Sequence, residues 1–193
     1  FKMKNKDGII EAVDELPSVG VVLIDVQESL LSTIANKDEL LCSLNILIKA
    51  IKSFSLPLIV TEQVPEKLGF TIDCISRLIP SINPIKKNSF SVFGSEEFHI
   101  ELNERKLSHL VFVGIETSIC IYLSAVDALK SGLEVTILYD CVGARRSADA
   151  SIALAKLEKL GCHIIPLESF IYAFLRTADH SDFREISKLI RDR

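Results

Sequence analysis

The sequence predicts an α/β protein, a three-layer α/β/α sandwich around a doubly wound parallel sheet of six strands in the order 3-2-1-4-5-6. Three observations lead there. Short continuous apolar runs, such as 20–24 and 107–113, have strand length and little polar alternation, as strands buried on both faces do. Segments with apolar residues at helical spacing separate these runs, the order expected of parallel strands joined by crossover helices. No stretch is rich enough in Pro, Gly or Ser to be a linker, and no internal repeat is present. The 193 residues therefore read as one domain, long enough to bury a full core.

The first strand, 20–24, is apolar throughout and ends at Asp25. Residues 38–54 carry Leu40, Leu41, Leu44, Ile48 and Ile51 at helical spacing. Residues 57–61 form the second strand, and 71–79 a short helical or irregular passage. A brief third strand, 84–87, precedes a helix over 95–105, whose Ser95, Glu96 and Glu97 suit an N-terminus. The fourth strand is 107–113. The helix after it, 118–129, stops before Gly132. Residues 134–139 form the fifth strand, 147–160 a helix closed by Gly161, and 162–165 the sixth strand. Two helices, 169–176 and 181–191, finish the chain. The arrangement is Rossmann-like. Residues 17–193 are assigned to this domain and 1–16 to an N-terminal extension.

Composition narrows the function. A net charge of −4, with the pair Lys86-Lys87 too short to count as a basic patch, gives no footprint for nucleic acid. No apolar run approaches the roughly 18 residues of a membrane span. The first six residues have no apolar core, so no signal peptide is expected. The five cysteines (Cys42, Cys74, Cys120, Cys141, Cys162) are odd in number and never spaced as C-x-x-C, which fits a reducing cytoplasm and no disulfide framework. The four histidines lie far apart, so no metal site is expected. The first strand is followed by Asp25-Val26-Gln27 rather than G-x-G-x-x-G, and neither G-x-x-x-x-G-K nor G-x-S-x-G occurs. These absences argue against a dinucleotide enzyme, a P-loop protein and a serine α/β-hydrolase. No cofactor is expected.

In doubly wound sheets, ligands bind beyond the carboxyl ends of the strands, where the strand order reverses. That crevice lies between strands one and four, beside Asp25 and the turn from Gly114 to Cys120. Lys87, at the end of strand three, points to the same edge. Thr117 reads as an N-cap, which puts Cys120 in the first helical turn, where backbone N–H groups and the helix dipole favour a thiolate. Asp25 can then take the thiol proton, and Lys87 can hold the carboxylate ionised and stabilise the thiolate. The turn between Gly114 and Cys120 offers N–H groups to an oxyanion. Each residue also has a plainer reading. A lone cysteine is an ordinary core residue, a strand-end aspartate caps a turn, and a lysine is a solvated charge. Gln27, Thr61 and Gln63 line the pocket or brace its loops. Phe90 and Phe93 pack a core or form a pocket wall. Glu116 contacts substrate or a partner subunit, or makes a structural hydrogen bond. Asp140, Arg145 and Arg146 form a charged turn read as scaffold or subunit contact.

Three motifs carry a resemblance: Leu23-Ile24-Asp25-Val26-Gln27, then Lys87-Asn88-Ser89-Phe90-Ser91-Val92-Phe93, then Gly114-Ile115-Glu116-Thr117-Ser118-Ile119-Cys120. In this order they resemble the isochorismatase-like cysteine hydrolase superfamily, from about Pro17 to the C-terminus. Val60 to Pro65 and Asp179 to Ile186 are most similar to its "isochorismatase domain-containing" subgroup. The resemblance implies a catalytic triad of Asp25, Lys87 and Cys120. It implies a cis peptide between Ile115 and Glu116, and an oxyanion hole built by the N–H groups of Glu116 and Cys120. It further implies a small-molecule substrate and a homo-oligomer; from their places near the strand ends and in the loop, Gln27, Thr61, Gln63 and Phe90 are the candidate substrate-binding residues. The apolar residues of the two terminal helices suggest subunit contact as well. Nicotinamidases of this superfamily hold a metal through an Asp-x-His and a further His, whereas Thr61-Glu62-Gln63-Val64-Pro65 has no histidine. True isochorismatases, which cleave a vinyl ether, lack the cysteine. The expected activity is therefore metal-independent hydrolysis of a small amide, ureide or carbamoyl compound through an acyl-enzyme on Cys120. The rivals are a vinyl-ether hydrolase of the isochorismatase type and a catalytically silent oligomeric binding or assembly protein of the same fold. A ribonuclease-like role lacks the interleaved aromatic and basic residues it would need.

Overall fold

The computed structural model describes residues 18–191; the expected extension 1–16 and the reading of the first six residues lie outside them. In chain order the elements are β1 (Val19–Ile24), α1 (Glu28–Leu31), α2 (Lys37–Ser53), β2 (Leu58–Gln63), α3 (Pro65–Leu68), α4 (Asp73–Ser76) and β3 (Ile85–Lys87). After a 3-10 turn, Val92–Gly94, come α5 (Glu96–Glu104) and β4 (His109–Ile115). A π-helical turn, Thr117–Ile121, leads into α6 (Tyr122–Lys130). Then follow β5 (Glu134–Gly143), α7 (Ser147–Leu160), β6 (His163–Ile165), α8 (Leu167–Leu175) and α9 (Phe183–Arg191).

The strands form one sheet in the order β3-β2-β1-β4-β5-β6, with every neighbouring pair parallel. This is the predicted topology. Alternate residues of each strand face opposite layers. Val21 and Leu23 join the core under α2 and α8, while Val22 and Ile24 join the core under α5, α6 and α7. Both faces being covered, β1 and β4 are buried along their whole length, which is why they are apolar runs rather than alternating ones. The largest helix, α2, starts with Asp38 and Glu39 and ends with Lys52, charges that complement the helix dipole.

The structure departs from expectation in two places. The fifth strand runs on to Gly143 instead of stopping at Tyr139, through a register shift against β4 between Phe112 and Gly114. The shift turns Asp140 aside, where it accepts the Leu167 N–H at the start of α8 (2.8 Å). It also brings Gly143 under the turn that follows β4. The terminal helices, in turn, spend their apolar residues inside the molecule. Phe170, Ile171, Leu175 and Ile186 are buried, and Phe174 stacks on Phe54 of the chain just after α2 (5.3 Å). The excess apolar surface expected there for a subunit contact is largely consumed by this packing.

At the carboxyl ends of β1 and β4 the two backbones nearly touch. Gly114 has φ +108°, and a Cβ on it would stand 2.2 Å from the Ile24 carbonyl oxygen. Only glycine fits, and its presence lets β4 swing into the turn carrying the cysteine.

At the opposite edge, His109 begins β4, with Nε2 2.8 Å from the Thr136 hydroxyl and Nδ1 3.6 Å from Glu134. Burial, more than the opposing charge of Glu134, lowers its pKa from 6.5 to about 4. Between those two values the unfolded chain binds a proton that the folded chain refuses, so stability is full above about pH 6.5 and falls toward pH 4. Urea midpoints measured across this window should fall less steeply for His109→Gln than for the natural chain. Among the described residues, no helix is long and apolar enough to cross a membrane.

Candidate active site

The site lies where β1, β2, β3 and β4 end. Beyond Ile24 the chain turns at Asp25, whose φ is +53°, a conformation aspartate tolerates better than most residues. The Asp25 N–H donates to the Thr61 carbonyl (3.2 Å), and the Gln27 N–H donates to the Asp25 carbonyl (2.8 Å). Its carboxylate is wholly buried, with each oxygen held by a different strand. Oδ1 accepts the Thr61 hydroxyl (2.8 Å), and Oδ2 accepts the Lys87 ammonium (2.7 Å). The side chains of Lys87 and Asp25 are both 0% exposed. An ion pair this deep is tolerable only when the remaining donors find partners. Lys87 Nζ meets that condition through Gln63 Oε1 (2.7 Å) and the carbonyls of Ser89 and Phe90 (3.2 and 3.3 Å). Lys86, its neighbour, is exposed and lies 3.7 Å from Glu66.

The thiol of Cys120 completes the group. Buried beside them, it lies within the influence of the Asp25 carboxylate, the Lys87 ammonium and the Glu116 backbone. The structure thus brings Asp25, Lys87 and Cys120 into one buried cluster. The charge state differs from the expected thiolate. Burial first, and the Asp25 charge second, push the Cys120 thiol up to about 12, against the opposing pull of Lys87. At neutral pH the sulfur keeps its proton, with the carboxylate already placed to receive it.

The turn itself differs from an ordinary helix start. Thr117 does not cap it. Its hydroxyl donates instead to the Gly143 carbonyl (2.9 Å), made reachable by the extension of β5. The Glu116 carbonyl accepts from Ile119 (3.0 Å), three residues on, and from Ile121 (3.2 Å), five residues on, the latter being the wide π-helical spacing, so these two bonds pass over the Cys120 N–H. The peptide between Ile115 and Glu116 is cis. The Glu116 carboxylate points away to Arg145, whose Nε lies 2.7 and 3.2 Å from its two oxygens.

The other expected pocket residues fall behind the triad. Gln27 is fully buried, its Oε1 accepting the Gln63 N–H (2.7 Å) and its Nε2 donating to the carbonyls of Gln63 and Gly69. Gln63 Oε1 accepts from the Lys87 ammonium, and its Nε2 donates to the Asn88 carbonyl (2.8 Å). With Thr61 on Asp25, all three side chains brace the cluster. Phe90 is 57% exposed, while its carbonyl accepts from the Lys87 ammonium. Phe93 packs on Phe98 and His99. Cys141 is buried.

Two supports escaped the sequence reading. Glu62 is buried and takes both the N–H and the hydroxyl of Thr71 (2.7 and 2.8 Å), pinning the loop after β2. Ser124 of α6 accepts the Val92 N–H (3.0 Å), pinning the segment after Lys87. A buried carboxylate in an apolar strand is a visible signal. A small serine on a helix is not. Among the described residues, no three His, Cys, Asp or Glu side chains gather as a metal site.

Comparison with known proteins follows the same outline. The model of the isochorismatase domain matches residues 19–169. Isochorismatase domain-containing protein 2A of Mus musculus is 30% identical over 178 residues, covering 92% of this chain and 85% of that protein. The structure called MAR1 ribonuclease from Caenorhabditis elegans superposes with a TM-score of 0.84 at 29% identity, over 91% of each chain. YcaC from Pseudomonas aeruginosa shares the fold, with a TM-score of 0.82 at 20% identity over 94% of this chain and 98% of that one.

Proposed function

The chain belongs to the isochorismatase domain family, and on that premise we propose that it is a metal-independent cysteine hydrolase cleaving a C–N bond of a small amide, ureide or carbamoyl compound. The observation that carries the reading is the buried Asp25 carboxylate, bonded to the Lys87 ammonium and close enough to act on the buried Cys120 thiol.

With the sulfur protonated at rest, attack and proton transfer go together. Cys120 Sγ bonds to the substrate carbonyl carbon as its proton passes to Asp25. The carbonyl oxygen becomes negative and is met by the N–H groups of Glu116 and Cys120. Support for this pair comes from the π-helical turn, whose hydrogen bonds to the Glu116 carbonyl come from Ile119 and Ile121, and from the Glu116 backbone, whose influence reaches the sulfur. Asp25 then returns the proton to the departing nitrogen, the C–N bond breaks, and an acyl thioester remains on Cys120. Water gives a proton to Asp25 and attacks the thioester carbon. The acid leaves and the thiol recovers its proton. Lys87 stays paired with Asp25 throughout and keeps the carboxylate in place between steps. It holds the carboxylate rather than the substrate, since its ammonium is already engaged by Asp25, Gln63, Ser89 and Phe90.

Phe90, exposed while its carbonyl holds Lys87, is proposed as the wall against which a flat substrate rests. The catalytic unit is taken as residues 17–193, acting as a homo-oligomer in the cytoplasm with neither nucleic acid nor membrane as partner. Five free cysteines support a reducing compartment.

A panel of small amides and ureides, a vinyl ether and a short RNA tests the proposal; the RNA is included because the C. elegans protein bears the name ribonuclease. Ammonia release from at least one amide or ureide, with an acyl mass on the Cys120 peptide, is the expected result. Turnover of the vinyl ether or the RNA alone, or no turnover and no adduct, overturns it.

A further inference from the structure

The Asp25 carboxylate has to accept and return a proton while fully buried, so its orientation must be kept by its neighbours. Lys87 supplies the charge, yet it reaches from β3 across β2, at the end of a long flexible side chain, and grips only Oδ2. The other oxygen, Oδ1, is held by the Thr61 hydroxyl at 2.8 Å. Thr61 is 0% exposed and pairs with Ile24 across the β1–β2 register, so its position is set by the centre of the sheet. Its carbonyl also receives the Asp25 N–H. The backbone and the side chain of one residue therefore both fix Asp25. A short β-branched side chain suits the task, because it has one rotatable bond to order.

Resting on the hydrolase reading above, we infer that Thr61 is a positioning residue that, together with Lys87, holds the proton-accepting carboxylate toward Cys120. It does not touch substrate. Its hydroxyl donates to the anionic form of Asp25, so removing it disfavours that form and frees the carboxylate to turn about the Lys87 contact. The titratable groups facing this carboxylate are Lys87 from β3 and Cys120 from the π-helical turn.

The probe is acrylamide, with alkylation of the Cys120 peptide followed by mass spectrometry from pH 4 to 9. Peptide-level detection separates Cys120 from the exposed Cys42 and Cys74. In the natural chain, the rate should rise with the fraction of Asp25 able to accept the proton. In Thr61→Val, of nearly the same shape, the acid limb should move to higher pH by about one unit, the size expected for one lost hydrogen bond to a charged group. Thr61→Ser should bring the limb back. A Thr61→Val profile lying on that of the natural chain, or a serine variant behaving like the valine one, overturns the inference. Should Thr61→Val not fold, Thr61→Ala against Thr61→Ser gives the same comparison, since the two differ only in the hydroxyl. Asp25→Asn separates the two levels of the argument. If it is alkylated like the natural chain, the acid–base reading falls and the role of Thr61 with it. If it loses the acid limb while Thr61→Val keeps its own in place, only the role of Thr61 falls.

Discussion

Lys87→Met should lower folding stability by about 3–5 kcal/mol, because it leaves the buried Asp25 carboxylate without its counter-ion. That is a large share of the roughly 5–15 kcal/mol that holds a domain together. The pair is 2.7 Å apart with both side chains out of water, so none of the screening that weakens a surface ion pair applies here. Activity should vanish for a separate reason. Without the ammonium, Oδ2 of Asp25 loses the contact that orients the carboxylate toward the thiol. The double change Lys87→Met with Asp25→Asn tells the two effects apart. It removes the orphaned carboxylate and should recover much of the stability measured by urea unfolding, while activity stays lost. A single variant as stable as the natural chain would mean that water reaches Asp25, contrary to its burial.

Cys120→Ser should leave the fold intact and reduce C–N hydrolysis by at least about 10³-fold, as loss of a nucleophile does in covalent catalysis. The hydroxyl fits where the thiol sat, but it is a weaker acid and a poorer nucleophile. The acyl mass on residue 120 should disappear with it. The natural chain should also show an unusual pH response. Burial and the Asp25 charge place the thiol at about 12, so alkylation of Cys120 should not climb through pH 8–9, where an ordinary thiol ionises. A climb there would show a free thiolate and remove Asp25 from the proton path. Undiminished turnover in Cys120→Ser would end the acyl-enzyme reading.

The parallel sheet was legible because strands buried on both faces need an unbroken apolar run, and β1 and β4 each keep one. Chain order then put Asp25, Lys87 and Cys120 at the carboxyl edge. Local pattern went no further at Cys120. Its neighbours suggested a helix start that would ionise the sulfur. The structure instead shows a π-helical turn tied to Gly143 by Thr117, and a thiol deep enough to keep its proton. Thr61, Gln27 and Gln63 show the same limit. They were found as polar residues near strand ends, but which groups they hold depends on contacts with β1 and β3 and with loops far along the chain. The terminal helices repeat it, since their apolar faces were visible and their burial beside α2 was not.

Taken alone, then, the order of residues determined the strands, their winding and the meeting of Asp25, Lys87 and Cys120 at one edge, because these follow from apolar runs and chain direction. The charge carried by the sulfur, the donor on each oxygen of Asp25 and the inward packing of the last helices were decided by the tertiary structure. Burial and electrostatic potential are sums over groups distant in the chain, and they take a value only once the layers have closed around them.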